Sequence, residues 1–293
     1  MADGLSINLN LTGLSSTFAR KLQHMLDVLR VLEVGVSFVT QEQVAEAIQF
    51  MSFQPANGAQ LGHDEAKQAA QNWLLSAFLR DAIEATGLFL DECLRVCALI
   101  QLAAKRRTNG AEINQVLNVL PQKIHKLHFP DKITKLERDF GVHPAWSDHV
   151  LALNKARTCV THRLGYVSKL DVDESQELVI TLRTMRMVAR EIGSGKELLL
   201  DRPGLLIEAD SMVEMSFVEH IRRFPLGQRI ELTHFELYSL IVTLWSFATS
   251  CSQEIEKIGR AQGLVFSSDK QSPETMAPIV PEKAAANGDV PSA

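Results

Sequence analysis

Cysteine is scarce in this sequence. The 293 residues include four cysteines, at positions 93, 97, 159 and 251, which are too few and too scattered for a disulfide framework. The first twelve residues also lack the cationic and apolar segments that together form a secretory signal. Because disulfides belong to oxidising compartments, both absences favour a reducing, cytoplasmic setting.

Net positive charge is also missing. Thirty Lys and Arg residues stand against thirty-five Asp and Glu residues, giving a formal net charge of −5 and an isoelectric point near 6.0. This argues against a surface coated in positive charge for non-specific binding to nucleic acids or anionic membranes. A local basic groove is compatible with the balance, since electrostatic steering depends on where the charges lie.

No apolar run is long enough for a membrane span. The longest candidate, residues 237–251, is uncharged but has about fifteen residues and several hydroxyl side chains. A spanning helix needs roughly twenty mostly apolar residues. Apolar residues still make up 46% of the chain, enough to bury a sizeable core. Residues 237–251 are therefore predicted to form a buried helix of a soluble protein.

Common enzyme motifs are absent as well. The sequence has no Gly-x-Ser-x-Gly nucleophile elbow, no His-Glu-x-x-His zinc motif and no dinucleotide-binding fingerprint. Residues Gly193 to Lys196 lack the full spacing of a phosphate-binding loop and are predicted to form a hairpin turn. Cys93 and Cys97 have a spacing that suits metal ligation, but no second pair joins them, so we interpret them as buried free cysteines. We expect neither a metal nor a cofactor.

The first half of the chain has helical periodicity. Apolar residues step by three and four after Ser15 and Ser16, which are predicted to cap a first helix. A second helix is predicted after Thr40, and a long apolar-rich stretch runs from Asp64 to the basic residues 105–107, with Gly87 as a possible division. A further helix is predicted between Pro144 and Gly165.

After Gly165 the apolar period changes from 3.6 to 2, which indicates strands. The strand candidates are residues 178–182, 198–200, 205–208, 212–219 and 229–232. Thr233 and Glu236 then form a capping-box pattern that opens the last, buried helix.

These patterns predict a mainly α fold, a helical bundle with a small β insert at about residues 178–232. We expect one domain over residues 15–266, preceded by a flexible N-terminus at 1–14. Residues 267–293 contain four of the ten prolines and no apolar period, so they are predicted to form a disordered tail.

The most informative stretch is Leu153 to Gly165, LNKARTCVTHRLG, at the end of a predicted helix. It places Asn154, Arg157, Thr158, Thr161, His162 and Arg163 beside an apolar row. Neighbours three or four residues apart share a helix face. Arg157 and His162 are five apart, roughly 140° around the helix, so either a frayed last turn or a second chain across a dimer axis is expected to bring them to one phosphate.

This stretch resembles the R-x4-6-H signature of the HEPN superfamily, with Arg157, four intervening residues and His162. The Leu-Asn-Lys-Ala lead-in and the His-Arg-x-Gly exit are similar to HEPN-like proteins whose motif helix precedes a small β segment and a closing apolar helix. Residues 145–259 can be laid along that plan. Thr158 departs from it, because the family often has Asn or Asp directly after the arginine.

The resemblance implies a metal-independent endoribonuclease, a toxin or defence protein acting on RNA, with any cognate antitoxin as a further partner. His162 would transfer protons at the 2′- and 5′-oxygens, and the Arg157 guanidinium would hold the negative phosphorane-like transition state. Asn154, Thr158, Thr161 and Arg163 would bind RNA or support the site. Since the family supplies the pair from two protomers, a homodimer formed through the motif helix is expected.

Other interpretations stay open. The chain can be a catalytically silent module of the same fold that binds RNA, nucleotide or a protein partner, or an unrelated helical interaction protein. In either case Arg157 would pair with an acid or cap carbonyls, and His162 would favour the helix C-terminus. A basic region with His125 and His128 is either a phosphate contact strip or, as we prefer, a solvated surface.

Overall fold

The computed structural model describes residues 10–51, 61–105, 108–200, 205–207 and 210–264. It contains helices α1 Leu11–Phe38, α2 Gln41–Met51, α3 His63–Ala103, α4 Gly110–Asn114, α5 Leu120–His125, α6 Phe129–Phe140, α7 Ser147–His162 and α8 His234–Ala261, with a π-helical turn at Gln115–Val119. The strands are β1 Glu177–Glu191, β2 Glu197–Leu199 and β3 Ser211–Pro225. The mainly helical architecture with a small sheet is confirmed.

Helix α1 begins before the predicted caps. Asn10 is its N-cap, and its side chain accepts a hydrogen bond of 2.6 Å from the Gly13 N–H, so Ser15 and Ser16 lie within the helix. Thr40 caps α2 as expected, through a reciprocal exchange of hydrogen bonds with Gln43. The expected tail at 267–293 and residues 1–9 lie outside the described residues.

Helix α3 is one helix of 41 residues, so the expected division at Gly87 is wrong. Gly87 is buried, and a Cβ there would lie 3.7 Å from the Phe129 ring and 4.0 Å from the Lys132 ammonium. The Lys132 Nζ donates to the Gly87 carbonyl at 3.3 Å and lies 2.6 Å from Asp91. Gly87 therefore lies inside a continuous helix, where its backbone carbonyl accepts a hydrogen bond from α6.

The three strands form one antiparallel sheet in the order β2-β1-β3. β1 and β3 pair along fifteen residues in constant register, from Glu177 opposite Pro225 to Glu191 opposite Ser211. The Gly193 to Lys196 segment makes the predicted turn into β2. Two strand expectations are wrong: residues 205–207 are not in a strand, and Arg229 makes only an isolated bridge with Tyr166.

One hydrophobic core joins the helices to the root of the sheet. Along β1 the even-numbered residues are buried from Leu178 to Thr184, and the helices α7 and α8 pack there. The outer half of the hairpin projects away, and β3 is exposed from Met212 to Glu219. No helix within the described ranges is long and apolar enough to cross a membrane.

The predicted capping box of α8 is present, and its glutamate also binds residues of β3. Thr233 and Glu236 exchange hydrogen bonds, with the Glu236 carboxylate accepting from the Thr233 N–H at 2.7 Å. The same carboxylate is 2% exposed and also accepts from Arg222 and His220 of β3. Burial raises the pKa of Glu236, but these hydrogen bonds and the Arg222 charge hold it below the usual 4.5.

We predict that Glu236→Gln lowers the free energy of unfolding at pH 7 by about 2 kcal/mol, because a charge-assisted contact is lost from a buried site. A depressed carboxyl pKa stabilises the fold above the unfolded-state value and loses that effect as pH falls through the folded-state value. The difference in the free energy of unfolding between the parent and Glu236→Gln should therefore shrink below about pH 4.5. Urea unfolding at pH 7 and at lower pH measures it.

Glu231→Gln is the matched control, since Glu231 is exposed and close in sequence. Its stability should stay within about 0.5 kcal/mol of the parent at both pH values. An equal loss in the two variants, or a Glu236→Gln deficit unchanged at low pH, would contradict the assigned role of the buried carboxylate.

Candidate functional site

Helix α7 carries the motif residues and is held on one side by the core. Its buried residues are Val150, Leu153, Ala156 and Cys159, which face α3, β1 and α8. The helix ends at His162, and the N–H groups of Arg163 and Gly165 both donate to the Cys159 carbonyl, at 2.9 and 3.2 Å. Gly165 has a φ of +84°, a conformation that suits glycine.

Arg157 leans from α7 towards α3. Its side chain is 26% exposed, and the Nη2 atom lies 3.5 Å from a carboxylate oxygen of Glu84. The Nε atom is buried and has no hydrogen-bond partner within the described part of the chain. The guanidinium therefore makes one long contact with an acid and keeps donors that a phosphate could use.

His162 faces solvent at the end of the helix. It lies seven residues from Lys155, so both belong to one exposed strip of α7. Helix α7 is regular through His162, so Arg157 lies roughly 140° around the helix from it. One chain does not bring the two groups together.

Three of the proposed supporting residues differ in their surroundings. The Thr158 hydroxyl donates to the Asn154 carbonyl at 2.9 Å, so its hydrogen is used within the helix. Thr161 is exposed beside His162, and Asn154 is half-buried. The hydroxyl oxygen of Thr158 can still accept a hydrogen bond, as an asparagine side chain would, but it offers no spare donor.

Arg163 has a structural partner that sequence reasoning missed. Its Nε and Nη2 atoms bind both carboxylate oxygens of Asp171, which is 3% exposed. Asp171 also accepts from the N–H and hydroxyl of Ser168, at 2.8 and 2.7 Å. Burial raises the pKa of Asp171, but the Ser168 and Arg163 contacts outweigh it and lower the pKa. The Ser-x-x-Asp spacing was the available signal.

The basic region around α5 and α6 is largely neutralised. Lys132 and His125 both contact Asp91, at 2.6 and 3.2 Å. Lys135 and Arg138 both contact Asp139, and Arg138 followed by Lys135 lowers the pKa of that carboxyl to about 2. Paired cations present little net charge to a phosphate backbone, which favours the solvated-surface interpretation.

The four cysteines are buried and free, which confirms the interpretation of Cys93 and Cys97. Burial, followed by contact with Cys251, raises the pKa of the Cys93 thiol. Burial also raises the pKa of the Cys97 thiol. No group of three or more His, Cys, Asp or Glu side chains within the described ranges has the geometry of a metal site.

An open groove lies where the projecting hairpin meets α1 and α8, and no sequence motif indicated it. Its volume is about 950 Å³. The walls are mainly apolar, and the lining includes Met185, Met187, Leu199, Val218, Phe235 and Tyr238. Arg30 and Arg186 are the charged residues that line it. Pockets of this size hold drug-sized ligands or short peptide segments.

Comparison with known proteins adds no relative: no family model, curated protein or solved structure matches the chain.

The two arginines of the motif should respond differently to truncation. Arg163→Ala leaves a buried carboxylate without its cation, so we predict a loss of about 3 kcal/mol in the free energy of unfolding. Arg157→Ala removes one long, partly exposed contact and should change stability by less than about 0.5 kcal/mol. Urea denaturation of both variants measures the difference. Equal losses would show that Arg163 is not the structural arginine.

Proposed function

We propose that the chain is a non-catalytic helical module that binds a partner protein in the groove between the hairpin, α1 and α8. The observation that carries the proposal is the groove itself, with open apolar walls and only cationic charge in its lining. Phe235 is 55% exposed and Leu199 is 43% exposed there. Exposed apolar surface on this scale marks interaction sites in soluble proteins.

The lining defines the chemistry of the partner. Leu199, Val218 and Phe235 contribute exposed apolar side chains to the lining, which suit the apolar face of a partner segment. Arg186 is exposed and Arg30 has only a 3.6 Å contact with Asp27, so both can pair with incoming carboxylates. An amphipathic segment with leucine-like residues on one face and acidic residues beside them fits this lining.

Two designed peptides test the groove. They share one apolar face of leucine and methionine, and their polar positions are either glutamate or lysine. We predict that the glutamate peptide binds and that the lysine peptide does not, as measured by fluorescence anisotropy with the full chain. Arg186→Glu should weaken binding of the glutamate peptide at least about ten-fold, since attraction becomes repulsion.

Lys155→Glu is the matched control, because it makes the same charge change on the exposed face of α7. It should leave peptide binding unchanged. Equal binding of both peptides, or equal weakening by Lys155→Glu and Arg186→Glu, would contradict a specific acidic partner. Binding of a short RNA oligonucleotide in place of the glutamate peptide would favour the RNA-binding module.

One observation favours a second function, the metal-independent endoribonuclease implied by the HEPN resemblance. The Arg157 guanidinium is only partly used, with a buried Nε that has no partner among the described residues and one contact at 3.5 Å. His162 is exposed and near in sequence. In this proposal, a homodimer through α7 places Arg157 of one protomer by His162 of the other, and RNA is the substrate.

If this second function holds, the purified chain cleaves RNA in the presence of a chelator. His162→Ala should abolish cleavage, and Arg157→Lys should lose most of the rate, because lysine keeps the charge but not the planar fork. Lys155→Ala is the control on the same helix and should cleave normally. Growth arrest on expression that His162→Ala relieves would support a toxin or defence role. Cleavage that requires added magnesium, or an Arg157→Lys variant as fast as the parent, would reject this mechanism.

A further inference from the structure

The outer edge of β3 is an unpaired sheet edge among the described strands. β1 is the only described strand that pairs with β3, and the pairing covers all fifteen residues without a bulge. Residues 211–224 include no proline, lysine or glycine. Long sheet edges in natural proteins are normally guarded by such residues, by bulges or by a covering element. Over these residues the edge has no proline, lysine or bulge, and its charged residues are Glu214, Glu219, Arg222 and Arg223.

The register shows which backbone groups face outward. The Ile192 N–H donates to the Asp210 carbonyl at 2.8 Å, and the Leu226 N–H donates to the Gln176 carbonyl at 3.1 Å, both in line with the β1–β3 ladder. Hydrogen-bonded pairs alternate along an antiparallel ladder. Even-numbered residues of β3 therefore bond to β1, and the N–H and C=O groups of odd-numbered residues 213–223 point to the open edge.

Exposed apolar side chains alternate with polar and charged ones along this edge. Val213 is 51% exposed, Met215 is 61% exposed and Ile221 is 50% exposed, all on one face. On the other face, Val218 is 41% exposed. Apolar side chains along an open edge indicate a site that another strand covers.

We propose that β3 pairs with β3 of a second copy of this chain, antiparallel and centred on Val218, so that two three-stranded sheets become one six-stranded sheet. Residues 213 and 223 then lie opposite each other, so all the outward-facing odd-numbered residues of this range are used. The outward backbone groups of the odd-numbered residues meet their counterparts, as an antiparallel ladder requires. A two-fold axis through Val218 makes the interface self-complementary.

Charge and shape favour this register over its neighbours. Met215 lies opposite Ile221 of the second copy, so an apolar pair is made twice, and Glu214 faces the opposite charge of Arg222, which also keeps its hydrogen bond to Glu236 of its own chain. Moving the axis by one residue to Glu219 would set two glutamates face to face, which is unfavourable. Moving it to Phe217 would set Arg222 opposite Met212 and shorten the paired strand.

The assembly closes as a dimer instead of growing into a filament. The opposite edge of the sheet has only the three residues of β2. Further along that edge, the Arg183 N–H already donates to the Thr243 hydroxyl of α8 at 2.7 Å. Once the β3 edges pair, no comparably long strand edge is left within the described part of the chain.

Disulfide trapping tests the register. Val218 would lie opposite itself in a pair without hydrogen bonds, with Cα atoms about 4.5 Å apart, which a disulfide can span. Val218→Cys should therefore give a covalent dimer under mild oxidation. Ser216→Cys is the matched control on the same face, and its two copies would lie about 14 Å apart along the strands and should not link.

Light scattering tests the edge itself. The parent chain should show twice its mass of 32.6 kDa at tens of micromolar, while Met215→Lys should be a folded monomer. Val31→Lys, at a 71% exposed site on α1, should remain dimeric. A monomeric parent chain, a dimer that survives Met215→Lys, or equal linking by Ser216→Cys would overturn the proposal. None of these readouts depends on binding in the groove.

Discussion

The projecting hairpin depends on the buried carboxylate of Glu236. This one group satisfies the N-terminus of α8 through Thr233 and accepts from Arg222 and His220 of β3. A buried charge is stable only when its hydrogen-bonding capacity is filled, so α8 and β3 must meet at one relative position. That position directs the outer half of the hairpin away from the core and places Phe235 and Tyr238, in the first turns of α8, along the wall of the groove.

Periodicity predicted the parts of the fold that local interactions decide. The alternation at residues 178–182 became β1, and the Thr233 and Glu236 spacing became a real capping box. The wrong predictions concern residues whose environment depends on tertiary packing. The Gly87 pattern suggested a break, yet the residue is buried inside one continuous helix that packs against Phe129 and Lys132 of α6. Residues 229–232 looked like a strand, but only Arg229 finds a bridge partner, so burial of Ile230 and Leu232 explains their apolar character.

The sequence position of the candidate site was predictable, but the contacts that each of its residues makes were not. Helix geometry correctly separates Arg157 from His162 within one chain. The role of Arg163 could not be read from the helix, because its partner Asp171 lies beyond the helix end and acts only after the exit loop folds back. The groove could not be predicted from the sequence for a similar reason. Its walls come from α1, β1, β2, β3 and α8, and no periodicity relates residues that far apart in the chain.

The two proposed contacts between chains cannot use the same axis. The α7 exit pairs with the chain just beyond β3, through the Val167 N–H and the Gln228 carbonyl at 2.9 Å. Val218 lies seven residues before Pro225, about 24 Å along the strand at roughly 3.4 Å per residue. A two-fold axis at Val218 therefore places the two α7 exits roughly 50 Å apart, too far for Arg157 to meet His162 of the other protomer. A dimer through β3 thus leaves the α7 pair apart and brings the two grooves, each lined in part by Val218, side by side on one face of the joined sheet.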